Sequence, residues 1–445
     1  MAHNAIDEKP LRVAVIGGGL AGLILGQALR TNPRIKVTVY ERNKEPVDRL
    51  DGFRIIVPDE VMAAIKSAIP EDVAEHLNPS IGAQHAGGQQ MYFITELGDI
   101  IFSHCPKHVL KSASVSRWKL REGLLHGMAG SLELGKHFQR YEERADGMVR
   151  AFFADQSSVE CDLLVGADGL RSQVKKQLYP QAKITRTGVA VMYFKIPLTP
   201  EVEELIPYGS GGMVLGPHNH SMVLHTWKNP QKWWSSTTAK QEKLGVNESF
   251  MMIGFGGPLA SFMNRTKFPE DFTSVELKEE CLARVNSYPV HPKLKRLAEL
   301  CLTESAYVNV IRDCEVIRPW KSKSITLIGD ALFNMSPMLG KGATCAMQDA
   351  LALAEVLNRP SILDESTRED TLYKTTTQII QKRLYWRSQS RRVHNLIWFS
   401  ANPILLWFRN TSMRVIDHSL DLSFITWIFL LVLLTSFAAL VMRLW

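Results

Sequence analysis

The sequence predicts an α/β fold: a Rossmann-type nucleotide-binding domain with a mainly-β substrate domain interleaved into it, followed by C-terminal helices and one transmembrane helix. Three observations carry this. A short apolar run, Val13 to Ile16, breaks into Gly17-Gly18-Gly19-Leu20-Ala21-Gly22 and resumes at once with helical spacing, the pattern of strand, tight turn and helix in a dinucleotide cradle. Two more strand-turn-helix units follow far downstream, at 161–174 and 324–357. Short strands rich in Val, Met, Tyr and Trp, separated by Gly, Pro and Asn, fill 187–267 and, more briefly, 81–102.

In the first unit Gly17 allows the turn, Gly19 omits a side chain so that the backbone can approach a pyrophosphate, and Gly22 lets the helix pack closely on the strand. The helix N-terminus offers free N–H groups and the positive end of its dipole. Residues 36–42 read as the second strand and end in Glu41, at the spacing of a carboxylate that binds a ribose hydroxyl. Gly52 and Arg54 open a third strand; Arg54 either meets a phosphate or the active site, or is a surface arginine on an edge strand. A helix capped near Ser114 or Ser116 carries Arg117 and Arg121 one turn apart on one face. A cation in the first turn opposes the helix dipole, so Arg117 is expected to face an anion, either a phosphate or a carboxylate. In the second unit Ser172 opens a helix, and Asp168 stands where it either accepts a ribose hydroxyl or holds the loop through backbone N–H groups. The third unit delivers Gly329-Asp330 at a strand end, then a loop with Pro337, then Gly340-Lys341-Gly342 and a long helix from Ala343 whose bare N-terminus can hold negative charge.

The mainly-β stretch contains Tyr193, Trp227, Trp233 and Trp234, rings that line apolar pockets or fill cores. Gly254 to Leu259 imitates half a nucleotide loop, but Pro258 and Leu259 stand where close packing wants small residues. His218, His220 and His225 have no carboxylate or cysteine to complete a ligand set, so no metal is expected.

The formal net charge is +7. No basic run interleaves with aromatics, so nucleic acid is not the expected partner. Much of the excess gathers late, at Lys382, Arg383, Arg387, Arg391, Arg392, Arg409 and Arg414, which suits a membrane surface. Residues 1–10 lack the apolar core of a signal peptide. Six cysteines without CxxC pairs fit reduced thiols facing the cytosol. Residues 422–442 carry no charge and are long enough to cross about 30 Å of hydrocarbon. The arginines upstream of that run place the bulk of the chain on the cytosolic side of a membrane, with the endoplasmic reticulum the expected one. Residues 396–408, interrupted by Asn402-Pro403, are too short to span and suit the interface.

With its three units in order, the stretch 11–357 resembles the class A flavoprotein monooxygenases, the FAD-dependent aromatic hydroxylases and their fungal secondary-metabolite relatives. The likeness rests on Gly17, Gly19 and Gly22 with Glu41, on Asp168-Gly169, on Gly329-Asp330 with Pro337 and Gly340-Lys341-Gly342, and on the helix at Arg117 and Arg121. That helix looks like the family segment whose first arginine contacts FAD. The resemblance implies FAD held by Gly17, Gly19, Gly22, Glu41, Arg42, Gly52, Arg54, Arg117, Asp168, Asp330, Gly340, Gly342 and Ala343, with NAD(P)H and O2 as cosubstrates. It implies a C4a-hydroperoxyflavin that hydroxylates or epoxidises a lipophilic small molecule, isoprenoid-bearing or polyketide. The family chemistry makes a catalytic base optional; Tyr193 and Arg54 are the candidates.

On this reading 10–80, 105–180 and 291–358 form the FAD-binding domain, 81–104 and 181–290 the substrate domain, 359–420 a C-terminal helical and interfacial segment, and 421–443 the membrane helix. Phe333 stands where the family usually has histidine and Thr344 where asparagine is frequent, so the surroundings of the isoalloxazine are expected to differ. A flavin-dependent halogenase would need a Trp-x-Trp-x-Ile signature that is absent. A membrane-anchored flavin reductase of a prenyl chain and a non-catalytic prenyl-binding protein on the same fold stay open.

Overall fold

The computed structural model describes residues 9–45, 54–83, 92–103, 111–206, 211–230, 248–263, 266–398 and 403–419. Gly52, Trp233, Trp234 and the apolar run 422–442 lie outside the described residues. The three strand-turn-helix units converge on one sheet of five parallel strands, in the order Ile325–Leu327, Leu163–Gly166, Leu11–Ile16, Ile35–Tyr40 and Leu132–Glu133. The central strands are near-continuous apolar runs because both faces of the sheet are covered. On one face the helices Leu20–Leu29 and Lys341–Leu357 pack together, with Leu23, Ile24, Leu25, Met347, Ala350 and Leu353 in one core.

An antiparallel meander, Phe138–Glu143, Val149–Phe153 and Ser158–Cys161, covers the other face. Its Phe138, Tyr141, Val149 and Phe153 meet Ala14, Ile16 and Tyr40. The sequence pattern hides this meander, because a register shift between Phe138 and Arg140 breaks the alternation of its first strand.

The second sheet has seven strands in the order Tyr307–Cys314, Ile184–Pro197, Phe250–Pro258, Ser221–Trp227, Gly211–Leu215, Tyr92–Thr95 and Ile100–Phe102. Alternation along Ile184–Pro197 divides its faces. Ala190, Met192, Phe194 and Ile196 enter a core under the helices Ser274–Asn286 and Pro292–Glu299, whereas Val191 and Tyr193 turn to the opposite face and line a cavity. Gly254 to Pro258 lies inside the strand Phe250–Pro258, so the apparent half-loop is extended backbone. A two-stranded antiparallel ribbon, Arg54–Pro58 with Ser112–Ser116, lies between the two sheets and is tied to the second by Ser114 Oγ, which donates to the Thr226 carbonyl at 3.1 Å.

The segment after the third unit is structural rather than appended. The helix Glu365–Ile397 sends Ile379 and Ile380 into the core beneath the nucleotide sheet and Val393 and Ile397 into a cluster with Phe93, Ile101 and Phe102. The helix Pro403–Ser419 adds Met413, fully buried, to that cluster. Arg409, also buried, donates from Nη1 to the Ile397 carbonyl at 3.2 Å. Among the described residues no helix is long and apolar enough to cross a membrane.

Candidate active site

At the glycine loop the backbone does what side chains would prevent. Gly17 has φ +112°, and a Cβ there would stand 2.4 Å from the Ala167 carbonyl oxygen. A Cβ at Gly22 would stand 2.0 Å from the Gly17 carbonyl oxygen. One at Gly19 would meet no protein atom within 4 Å, so this position opens on the space before the helix Leu20–Leu29, whose cap Gly19 offers no side-chain acceptor. The first N–H groups of that helix are thus directed to an anion.

Glu41 is buried and fixes the loop from the side: Oε2 accepts from Gly18 N at 2.7 Å and Oε1 from Asn43 N at 3.0 Å. Each oxygen keeps a second lone pair for a hydroxyl. Arg121 Nε donates to the Gly18 carbonyl at 3.0 Å, so the second arginine of its helix braces the loop, a role the sequence reading did not assign. Asp168 Oδ2 accepts from Gln173 N at 2.8 Å, while Oδ1 is buried with no hydrogen-bond partner. Burial raises this carboxyl above its usual range. Glu41, Arg42, Arg117, Arg121 and Asp168 line a cavity of about 440 Å³.

A second cavity of about 620 Å³ opens beside the first, and the two share Gly19, Leu20, Arg117, Ala167 and Gly169. Asp330, Gly340, Lys341, Gly342 and Ala343 line its nearer side. The helix there begins at Lys341, two residues before the expected Ala343, with Gly340 at φ +61° as a cap that has no side chain. Its free N–H groups and dipole suit negative charge. Thr344 Oγ1 is turned away, donating to the Ile56 carbonyl at 3.2 Å.

The floor is the second sheet, read row by row from its register. One row runs Phe93, Met213, Val223, Gly254, Tyr193, Tyr307; the next on one side Ser221, Gly256, Val191, Asn309; the next on the other side His225, Met252, Lys195. Gly254 is a notch in the first row, since a Cβ would come within 2.8 Å of Tyr193 Cε1 and 2.7 Å of Val223 Cγ1.

Both candidate bases are brought to this cavity. Tyr193 lines this cavity, stacked on Tyr307 with centroids 5.2 Å apart, and burial pushes its phenol up to about 12, so it keeps its proton at neutral pH. Arg54 also lines the cavity, held through Nε by Ser114 Oγ. Burial lowers it to about 9, which still leaves a cation.

Sequence reasoning missed what holds this side of the second cavity. Arg383, fully buried on the helix Glu365–Ile397, pairs through Nη1 with Asp349 Oδ2 at 2.8 Å and through Nη2 with Asp330 Oδ1 at 3.1 Å, and donates to the Phe333 carbonyl. Asp349 Oδ2 also accepts from Gly329 N at 3.0 Å. One helix turn and more along, Ser390 Oγ donates to the Ser336 carbonyl and His394 Nδ1 lies 3.1 Å from Ser336 Oγ. Trp386, Gln389, Val393 and Trp398 then wall the second cavity. The Phe333 ring is buried in the core beneath the nucleotide sheet and lines neither cavity, while its carbonyl accepts from Arg383. Of the three histidines, only His225 lines the second cavity; His220 packs on Tyr288, 5.6 Å between centroids.

A polar cavity rimmed by a glycine loop thus opens into a larger, more apolar chamber floored by a sheet. Residues 10–375 match the FAD binding domain family, and the chain belongs to that family. It is 28% identical over 382 residues to the dual O-methyltransferase/FAD-dependent monooxygenase CTB3 of Cercospora beticola, covering 80% of this chain and 42% of that one, so the chain spans less than half the length of this relative. It is 26% identical to the FAD-dependent monooxygenase thnD of Trichoderma harzianum, over 78% of this chain and 83% of that one. Its fold matches that of Klebsiella pneumoniae HpxO complexed with FAD and uric acid, with a TM-score of 0.72 and 18% identity over 95% of this chain and 97% of that one. The residues present fit FAD: the unpaired buried Oδ1 of Asp168 and the buried, unpaired Oδ1 of Asn334 are acceptors on the first and second cavities, and the open face of Gly19 lies where they meet.

Proposed function

We propose that the chain is an FAD-dependent monooxygenase that uses NAD(P)H and O2 to hydroxylate or epoxidise a lipophilic small molecule of secondary metabolism. The observation that carries this is the junction of the two cavities at Gly19, Leu20, Arg117, Ala167 and Gly169, which lets one cofactor lie with its nucleotide end on polar groups and its ring end over an apolar floor. FAD, when bound, supplies hydride acceptance and the activation of dioxygen. The chain's own residues do the rest. Gly17, Gly19 and Gly22 with the helix N-terminus bind the diphosphate, Arg42 and Arg117 complete that grip, and Glu41 and Asp168 accept hydrogen bonds from hydroxyls. Asp330 accepts at the ring end, and the helix start at Gly340, Gly342 and Ala343 stabilises negative charge beside it. Phe93, Met213, Val393 and Trp398 exclude water and orient an electron-rich carbon. Tyr193 serves as a hydrogen-bond donor or ring wall.

The purified chain is expected to be yellow, and a product formed under labelled oxygen with NADPH is expected to carry one labelled atom. A colourless protein, or a reduced product without label, overturns the reading, the latter in favour of a prenyl-chain reductase. The proposal includes an anchor at 421–443 that keeps the pocket beside a bilayer on its cytosolic face, supported by the uncharged run 422–442. A chain ended after Ser419 should then leave the membrane fraction; one that stays bound removes the anchor from the proposal.

A further inference from the structure

We propose that the outer rim of the second cavity docks the nicotinamide cosubstrate: Lys341 and Lys382 take its phosphates and Tyr385 its adenine ring, while the nicotinamide enters past Trp386. The choice of ligand rests on the monooxygenase reading; the affinity of the rim for an adenine dinucleotide does not.

Exposure locates the rim. Most of the lining of this cavity is buried or half-buried, and Arg117, Asn309 and Gly340 are its exposed members. Arg117 stands on the junction with the first cavity, so Asn309 and Gly340 mark an opening to the outside. Several elements meet there. Asn334 Nδ2 donates at 2.8 Å to the carbonyl of Arg312, which shares a strand with Asn309. Arg387, beside Trp386 on the helix Glu365–Ile397, binds Asp313 of the same strand at 2.6 Å. The Lys341 ammonium lies over the Trp386 ring, 4.9 Å from its centroid.

The acids around this opening are already taken. Glu270 pairs with Arg186 and Arg312, Asp313 with Arg387, and Asp330 with Arg383. Among the described residues, neither Lys341 nor Lys382 lies within salt-bridge distance of a carboxylate, and Glu60 acts on Lys341 only from farther away. Both lysines oppose the rise that burial gives the Cys345 thiol, so both stand near the start of the helix Lys341–Leu357. Burial lowers the Lys341 ammonium from its ordinary range, a cost that a bound phosphate relieves. From Thr371 to Ile397 the second helix carries no acid. Lys382 is exposed one turn before Trp386, and Tyr385, 46% exposed, meets the Trp386 ring edge-on at 5.1 Å. Two ammonium groups without carboxylate partners beside an exposed ring match a ligand that carries both a diphosphate and a base.

The test is isothermal titration calorimetry of the full chain with NADP+ and with ADP-ribose, which lacks the nicotinamide. Lys382→Gln, Lys341→Gln and Tyr385→Ala are each expected to weaken both ligands about fivefold. Lys374→Gln, which removes an exposed charge earlier on the same helix, is expected to change neither. Added salt should weaken the wild type more than the Lys382 variant. Should Lys341→Gln fail to fold, Lys382→Gln and Tyr385→Ala decide the matter. No binding by the wild type, or losses no larger than that of Lys374→Gln, overturns the dock. So does a Lys341→Gln chain whose flavin shifts in reduction potential while NADP+ affinity stays that of wild type. A chain that binds NADP+ with the expected losses, but whose flavin NADPH does not reduce, upholds the dock and overturns the monooxygenase reading. A flavin reduced by NADPH with the same half-saturation in wild type and variants does the reverse.

Discussion

At the diphosphate end, Gly17 and Gly22 let two stretches of backbone approach to distances that no side chain would permit. At the ring end, the loop from Phe333 to Gly340 is held by side chains that reach in from another helix, Arg383, Ser390 and His394. The first end is built by omission: Gly22 closes on its own turn, and Gly17 makes room for the Ala167 carbonyl of the second unit. The second is built by side-chain contacts whose partners stand 50 or more residues apart. The contrast teaches that one cofactor site can fail in two separable ways, by loss of the cradle or by loss of the strap.

The sharpest break should come from Gly22→Val. The new side chain would begin 2.0 Å from the Gly17 carbonyl oxygen, and relief of such overpacking costs about 3 kcal/mol or more. Neither FAD nor ADP should bind by calorimetry, and the thermal transition should fall steeply. Arg383→Met should come next, leaving the fully buried Asp349 without its ion partner at about 3–5 kcal/mol. This variant should lose FAD while ADP binding largely survives, because the cradle is untouched; equal loss of both would erase the distinction between the two ends. Adding Asp349→Asn should restore part of the stability.

Met413→Ala should cost about 2–4 kcal/mol in urea denaturation, since Met413 is fully buried against Ile101 and Phe102. By the same contacts, a chain ended after Ser419 should keep its flavin better than one ended after Ile397.

Acid should loosen the strap before the cradle. Burial, with Arg391 adding to it and Asp313 opposing, lowers His394 from 6.5 to about 4. The unfolded chain therefore takes up this proton before the folded chain does, and stability is lost as pH falls through that window and is constant above it. His220, lowered to about 3 by burial, contributes with the same sign, so His394→Gln should flatten part of the dependence in denaturant titrations at a series of pH values. The smallest effect should be that of Ser390→Ala, about 1 kcal/mol for one hydrogen bond to the Ser336 carbonyl, visible as a small shift in melting temperature.

What was legible in the sequence follows the same division. Gly17 and Gly22 could be read because a turn and a close approach are demands of the local backbone, and the acidic residues Glu41, Asp168 and Asp330 because they end strands. The partner of Asp330 could not. Arg383 stands in a basic helix beside Lys382, Arg387, Arg391 and Arg392, and charge counting assigned that excess to a membrane surface. The fold instead turns Arg383 fully inward and sets Arg387 on Asp313 at 2.6 Å, leaving Arg391 exposed. Composition cannot tell these directions apart, because they depend on where the helix lies. His225 was grouped with His218 and His220 by spacing. The turn at Pro217–Asn219, with His218 and Asn219 both at positive φ, starts the strand that carries His225 to the cavity and leaves the other two behind. Tyr193 was read as either a pocket wall or a core ring; the fold sets it on the cavity, and its burial is something no single sequence position reveals.

Gly254 and Gly256 set the depth of the chamber by the atoms they lack. Both face the cavity from the middle of the sheet, and neither lines the first, more polar cavity. A single methyl at Gly254 would have to displace the Tyr193 ring or Val223. Trading side chains at these two positions therefore changes the size and shape of the chamber without touching the glycine loop.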